Sequence, residues 1–243
     1  FQISVDLFSA LGELDLLPHL GKPCALTVSE DGELLRYFNG FVTDAEYISE
    51  TRDGFHYRLI VRPWSHFLTF NSNYAIFQDK SVIDIIKEVL SVSPFAQIDY
   101  SRIKQAPPVR PYTVQYGESD FAFISRLLEQ EGIYYFYEHQ RDKHRMILCD
   151  APSAHQPGKH PLLVYNPLAE TVGNADSAAR TSAAAKQYLS RWHERVSTGG
   201  EAKVTLRDFD FEKPQKPVEA KVNAPGAHPL DGLEVYQWPG DYK

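Results

Sequence analysis

Five carboxylates and a histidine crowd the stretch QYGESDFAFISRLLEQEGIYYFYEH at residues 115–139: Glu118, Asp120, Glu129, Glu131, Glu138 and His139. Paired carboxylates can hydrolyse a glycosidic bond, but only when two of them face one another across a cleft. The pattern predicts a helix over 119–131. At 100° per residue, Glu129 and Glu131 stand roughly 200° apart, so they cannot address one ligand. Glu118, Ser119 and Asp120 fall at the helix start, where side-chain oxygens cap free N–H groups and negative charge meets the helix dipole. All three are expected to be mostly solvated. Gly132 follows where a left-handed C-cap is wanted. Glu131 is the exception, because it points into the apolar arc of Phe121, Phe123, Ile124, Leu127 and Leu128 at the end where the dipole opposes it. Such a carboxylate needs a raised pKa or a cationic or hydroxyl partner, with Arg110, Arg126 or a tyrosine as candidates. Ser119, Asp120, Glu131 and Gly132 therefore read as a structural motif, with Glu131 largely buried and hydrogen-bonded inside its own domain.

The following run, IYYFYEH, alternates Ile133, Tyr135 and Tyr137 against Tyr134, Phe136 and Glu138. An aromatic face can stack sugars, and it can equally be one side of a half-buried sheet. The nine histidines show no ligand spacing, and His155 and His160 lack helical or cysteine partners, so no metal and no other cofactor is expected. Phosphate-binding, dinucleotide and nucleophile-elbow glycine motifs are absent.

The elements that must position these residues are legible. Residues 1–78 alternate like antiparallel β-structure, with Asp-Gly turns in EDGEL (30–34) and ETRDG (50–54) and a bulge expected at Gly40. They predict a first barrel-like β domain. Residues 79–154 read as an α/β portion with two helices. The first, SVIDIIKEVLSV at 81–92, has Ser81 as its cap, with Asp84 three positions on, and Pro94 as its stop. A proline-rich connector (106–111), strands at 112–116 and 133–139, and the strand RMILCD complete it. Residues 155–187 read as a loop or insertion holding a weak helix at 175–187. The β pattern returns from 188 to 243, in YLSRWHERV, EAKVTLRDFDFEKP and LEVYQWPGDYK, as the truncated start of a second barrel-like domain. The fold class is α+β, mainly antiparallel.

Composition narrows the function. The 243 residues are 43% hydrophobic and 23% charged, ordinary for a globular protein. The net charge of −7 and the lack of a Lys/Arg cluster argue against nucleic acid. No apolar run approaches the roughly 20 residues of a membrane helix, so no membrane insertion is expected of this segment. The start lacks signal-peptide sections and opens at Phe1 inside a strand-like run, as expected of a fragment of a longer protein. Cys24 and Cys149 each sit in an apolar run and are expected to be free thiols.

FQDKSVIDIIKEVL (77–90), YTVQYGESDFAFISRLLEQEGIYYFYEH (112–139) and VTLRDFDFEKP (204–214) resemble the VgrG family of type VI secretion spike proteins. LGKPCALTV (20–28), FNGFVTDAEY (38–47) and LEVYQWPGDY (233–242) extend the resemblance in order along nearly the whole chain, while 155–187 departs from the family's shorter connections. The resemblance implies an N-terminal region similar to the tail hub of contractile phages. Three copies would form a ring joining the spike to the secretion tube, with spike or effector domains following. It implies assembly in the bacterial cytoplasm and export by type VI secretion without a signal peptide. It carries no catalytic residue onto this segment. A carbohydrate-active hydrolase or a sugar-binding module is the alternative reading of the carboxylates and tyrosines.

Overall fold

The computed structural model describes residues 1–10, 12–30, 33–155, 164–165, 188–189, 191–195, 203–223 and 233–240. The chain divides into two compact units, 1–156 and 157–243. The first opens with four strands, β1 (Ile3–Ser9), β2 (Pro23–Glu30), β3 (Glu33–Thr51) and β4 (Gly54–Arg62). They form one antiparallel sheet in the order β1-β4-β3-β2. Both expected hairpins are present, Glu30 pairing with Glu33 and Thr51 with Gly54.

The bulges are not where the sequence suggested. Gly40 stays in register opposite Cys24, and the shifts fall at Val28/Ser29, Val42/Asp44 and Tyr47/Ser49. Space explains this glycine. A Cβ at Gly40 would lie 2.5 Å from Val61 Cγ1 and 2.8 Å from the Arg62 carbonyl oxygen. The two strands approach so closely that only a residue without a side chain fits.

A 3₁₀ turn, Trp64–Thr69, leads into the α/β portion: β5 (Asn73–Ser81), α1 (Val82–Leu90), β6 (Ile98–Arg102), β7 (Val109–Glu118), α2 (Asp120–Gln130), β8 (Tyr134–His139) and β9 (His144–Cys149). β5 and β7 form an antiparallel ladder, and a second sheet has the order β6-β9-β8. β6 pairs parallel with β9, a partnership with no local signal, and the sequence pattern missed it. α1 forms as its spacing dictates. Val82, Ile85, Ile86 and Leu90 are buried, and Ser81 and Asp84 make a reciprocal capping box. The Ser81 hydroxyl holds the Asp84 carboxyl below its ordinary pKa. The helices cover a core built on Trp64, Leu68, Phe77, Phe123, Leu127 and Leu148. Cys149 is buried and free, and Cys24 is half-buried and free.

A polar knot ties the first sheet to this portion. Asn39, on β3, is buried; its N–H donates to His139 Nδ1 at 3.1 Å, and its Oδ1 lies 3.0 Å from His144 Nδ1. The Trp64 N–H donates to His144 Nε2 at 2.9 Å. That bond requires a lone pair on Nε2, so the proton sits on Nδ1 and is donated to Asn39. His144 is thus held neutral with both nitrogens used. Burial, reinforced by His139 and the Phe1 amino group, pushes its pKa down to about 4. His139 also has a lowered pKa, chiefly from burial, but its Nδ1 has a fallback acceptor in the Asn39 carbonyl at 3.2 Å.

In the second unit β10 (Val164–Tyr165) pairs parallel with β11 (Tyr188–Leu189). β12 (Lys203–Asp208), β13 (Val218–Asn223) and β14 (Glu234–Gln237) form a sheet of order β13-β12-β14. β12–β13 is antiparallel and β12–β14 parallel. Of the strand expected in YLSRWHERV, Tyr188–Leu189 is present and residues 191–195 are exposed and irregular, while 190 and 196 lie outside the described residues. The weak helix expected at 175–187 lies outside the described residues.

Gly40→Ala should cost about 1–3 kcal/mol through forced displacement of β4, measured by urea unfolding. The histidine knot sets a second expectation. His144 in the unfolded chain binds a proton below its ordinary pKa of about 6.5, whereas folded His144 resists until about 4. Stability should be full above pH 6.5 and fall as the pH drops toward 4, by roughly 3 kcal/mol from this residue. Unfolding midpoints across that range should show the decline, and His144→Gln should flatten it.

Candidate functional site

β7, α2 and β8 carry the acidic stretch, and the fold gives each of its inward carboxylates a partner of its own. The Ser119 side chain caps α2 by accepting from the Ala122 N–H at 3.1 Å. Glu118, half-buried, takes Arg126 Nη2 at 2.5 Å. Arg126 in turn donates to the Val114 carbonyl, fastening α2 to β7. Glu131 closes the other end of the helix. Its side chain is 14% exposed, and Arg110 of β7 donates to it at 2.5 Å and to Gln130 Oε1 at 2.8 Å. Arg110 is one of the candidates the sequence offered. Gly132 adopts φ +66°, and a Cβ added there would meet nothing within 4 Å. A β-branched residue at this position would therefore suffer only backbone strain, roughly 1 kcal/mol.

Asp120 departs from expectation. It is buried at 6% exposure, not solvated. Gln115 Nε2 donates to its Oδ1 at 2.8 Å, and the Asn71 amide donates to Oδ2. The carboxylate therefore joins the chain before β5, the strand β7 and the first turn of α2. Sequence pattern could not show this, because Asn71 lies 49 residues away. Glu138 pairs with Arg102 at 2.5 Å and with Arg145 at 3.5 Å. Glu129 is exposed at the opposite side of α2 from Glu131. These carboxylates thus point to separate partners, and no two of them face across one cleft. Among the described residues, no three His, Cys, Asp or Glu side chains are placed to share a metal ion.

The tyrosine run is covered on both sides. Ile133, Tyr135 and Tyr137 pack on the main core, and Tyr134 and Phe136 pack on Ile147, Cys149 and Ala154. His155 stacks on Tyr134 at 5.3 Å. The half-buried sheet is the reading this geometry supports. The open aromatic face lies elsewhere, on the β5–β7 ladder. Tyr74 pairs with Tyr116, and Gln78 with Tyr112. Tyr74, Ile76, Tyr112 and Tyr116 are between 54% and 79% exposed. Alternation places them on one side, while Phe77, Thr113 and Gln115 face inward. The signal was present in the period-two spacing of Tyr74 and Ile76 in NYAIFQ and of Tyr112, Val114 and Tyr116 in PYTVQY.

The model of one protein family, described as the phage tail baseplate hub (GPD), matches residues 1–243. The type VI secretion system spike protein VgrG1a of Pseudomonas aeruginosa is 33% identical over 249 residues, covering 100% of this chain and 36% of the relative. The chain thus spans about a third of that relative's length. Among solved structures, the Escherichia coli c3393 protein aligns with a TM-score of 0.59 at 22% identity, over 68% of this chain and 45% of that one. It is described as a type VI secretion component with structural similarity to the T4 phage tail proteins gp27 and gp5. A tail protein from Neisseria meningitidis aligns with a TM-score of 0.57 at 13% identity, over 97% of this chain and 61% of that one.

Asp120→Ala should leave the Asn71 amide and one of the two Gln115 N–H groups without their acceptor, the other Gln115 N–H keeping the Glu118 carbonyl, and cost about 2–3 kcal/mol, against less than about 0.5 kcal/mol for Glu129→Ala. Chemical denaturation of the two variants side by side checks the difference.

Proposed function

Because this chain belongs to the phage tail baseplate hub family, we propose that it is a structural hub segment of a type VI secretion spike. In this reading three copies close a ring that joins the spike to the secretion tube. The observation that carries it is the family match along the entire chain. Its partners are two further copies of itself, the tube protein, and C-terminal spike or effector domains. The protein assembles in the bacterial cytoplasm and leaves through the secretion system itself. We assign it no catalytic step; the individually paired carboxylates give a hydrolase reading no support.

Ring closure makes every subunit contact heterologous, so each copy needs two different sticky faces. Large exposed apolar faces on a monomer mark such contacts, and the Tyr74–Tyr116 face has that character. We further propose the division 1–78, 79–154, 155–187 and 188–243, with the β-rich portions at either end lining the ring. Three copies of two such portions give six similar units, suited to a sixfold tube.

Light scattering on the full-length protein should give three times the single-chain mass. A stable monomer at high concentration would refute the hub reading.

A further inference from the structure

A second surface lies over the first sheet. Residues 12–22, ahead of β2, are anchored to the sheet at two points. The Leu14 N–H donates to the Tyr57 hydroxyl at 2.8 Å, and the Gly21 N–H to the Val42 carbonyl at 2.8 Å. Glu13, Leu14, Asp15, Leu17, Tyr47 and Tyr57 line a cleft of about 520 Å³. Its floor is an aromatic pair: Tyr57 is buried at 1% exposure, and Tyr47 stands edge-on to it at 5.7 Å with 46% exposed. Its rim is apolar, Leu17 being 76% exposed.

The charge here has one sign. Glu13 and Asp15 line the cleft, and Glu50 lies on the Tyr47 side of β3, beyond the Tyr47/Ser49 bulge. The Tyr47 hydroxyl is raised in pKa first by burial and then by Glu50 and Glu13, which places both charges near the ring. Among the described residues none of the three carboxylates has an ion-pair partner. The nearby cation, Arg58, pairs across the ladder with Glu46, on the other face, and is bound to Asp6. This contrasts with the acidic stretch of 118–138, where Glu118, Asp120, Glu131 and Glu138 each hold an internal partner.

We propose that this cleft docks an arginine-bearing apolar segment of a partner protein. A guanidinium is planar and weakly hydrated, so it can lie on the Tyr47 ring while donating to two carboxylates at once. Leu14 and Leu17 then take the apolar residues on either side. A purely apolar occupant would desolvate Glu13 and Asp15 without compensation, and an anionic one would be repelled. Neither the recognition chemistry nor its test depends on the ring.

The probe is the peptide acetyl-Leu-Arg-Leu-Arg-Leu-amide, titrated by calorimetry into the full-length protein. Combined Glu13→Gln, Asp15→Asn and Glu50→Gln should weaken binding at least about tenfold, because charge-assisted pairs are lost. A control set of exposed carboxylates elsewhere, Glu46→Gln, Asp53→Asn and Glu129→Gln, removes the same charge and should change binding less than about twofold. Equal losses in the two sets, or no binding of the peptide, would overturn the proposal. In the producing bacterium, a photo-cross-linker at Leu17 should capture an arginine-containing segment of another protein. Capture of a second copy of this chain, or of a segment lacking arginine, would overturn it as well.

Discussion

Asn39 is the point on which the arrangement of the first unit turns. It sits mid-strand on β3 and is buried, yet its backbone and side chain are both spent on histidines 100 and 105 residues away in sequence, His139 and His144. His144 in turn accepts from the Trp64 backbone. One polar cluster therefore fixes β3, β8, β9 and the Trp64 turn against one another. An apolar contact could supply similar energy, but it would tolerate sliding; a chain of directional bonds between neutral rings does not. Phe41 and Tyr137 pack their rings against His144, which is buried with both ring nitrogens hydrogen-bonded.

The same logic recurs around α2. The helix is short and could not stand alone in water. Its apolar arc supplies the burial, and its two ends are clamped by charge: Arg126 with Glu118 at the start, and Arg110 with Glu131 at the finish. Asp120 adds a buried acceptor that reaches both the chain before β5 and the strand β7. Carboxylates that looked like acid–base machinery are the fastenings of a rigid block.

The outer surfaces have a different character. The β5–β7 face exposes tyrosines and an isoleucine, whereas the cleft over Tyr47 combines leucines with carboxylates that hold no ion-pair partner among the described residues. The first suits a flat apolar contact, and the second suits a directional one. Two surfaces of unlike chemistry on one chain fit a component that meets more than one kind of neighbour.

Local pattern was enough for elements whose causes are local. The apolar spacing of α1, its Ser81–Asp84 box, the cap at Ser119, the left-handed Gly132 and the two hairpins of the first sheet all follow from residues close together in the chain. So does the need of Glu131 for a raised pKa or a cationic or hydroxyl partner, since its angle on the helix and its place at the C-terminal end are set by sequence alone; that the partner is Arg110 was decided by the fold. What tertiary structure decided are the partnerships across distance. The parallel pairing of β6 with β9 leaves no local mark. Asp120 looked like a solvated cap until Asn71 and Gln115 were brought onto it. Gly40 looked like a bulge, but its constraint is Val61 and the backbone of Arg62 on the neighbouring strand. Whether a tyrosine run is a binding platform or a sheet interior was likewise settled by His155 and Ala154 arriving from outside the strand. Sequence sets each residue's preference over one or two turns of chain; only folding sets which surfaces those residues meet.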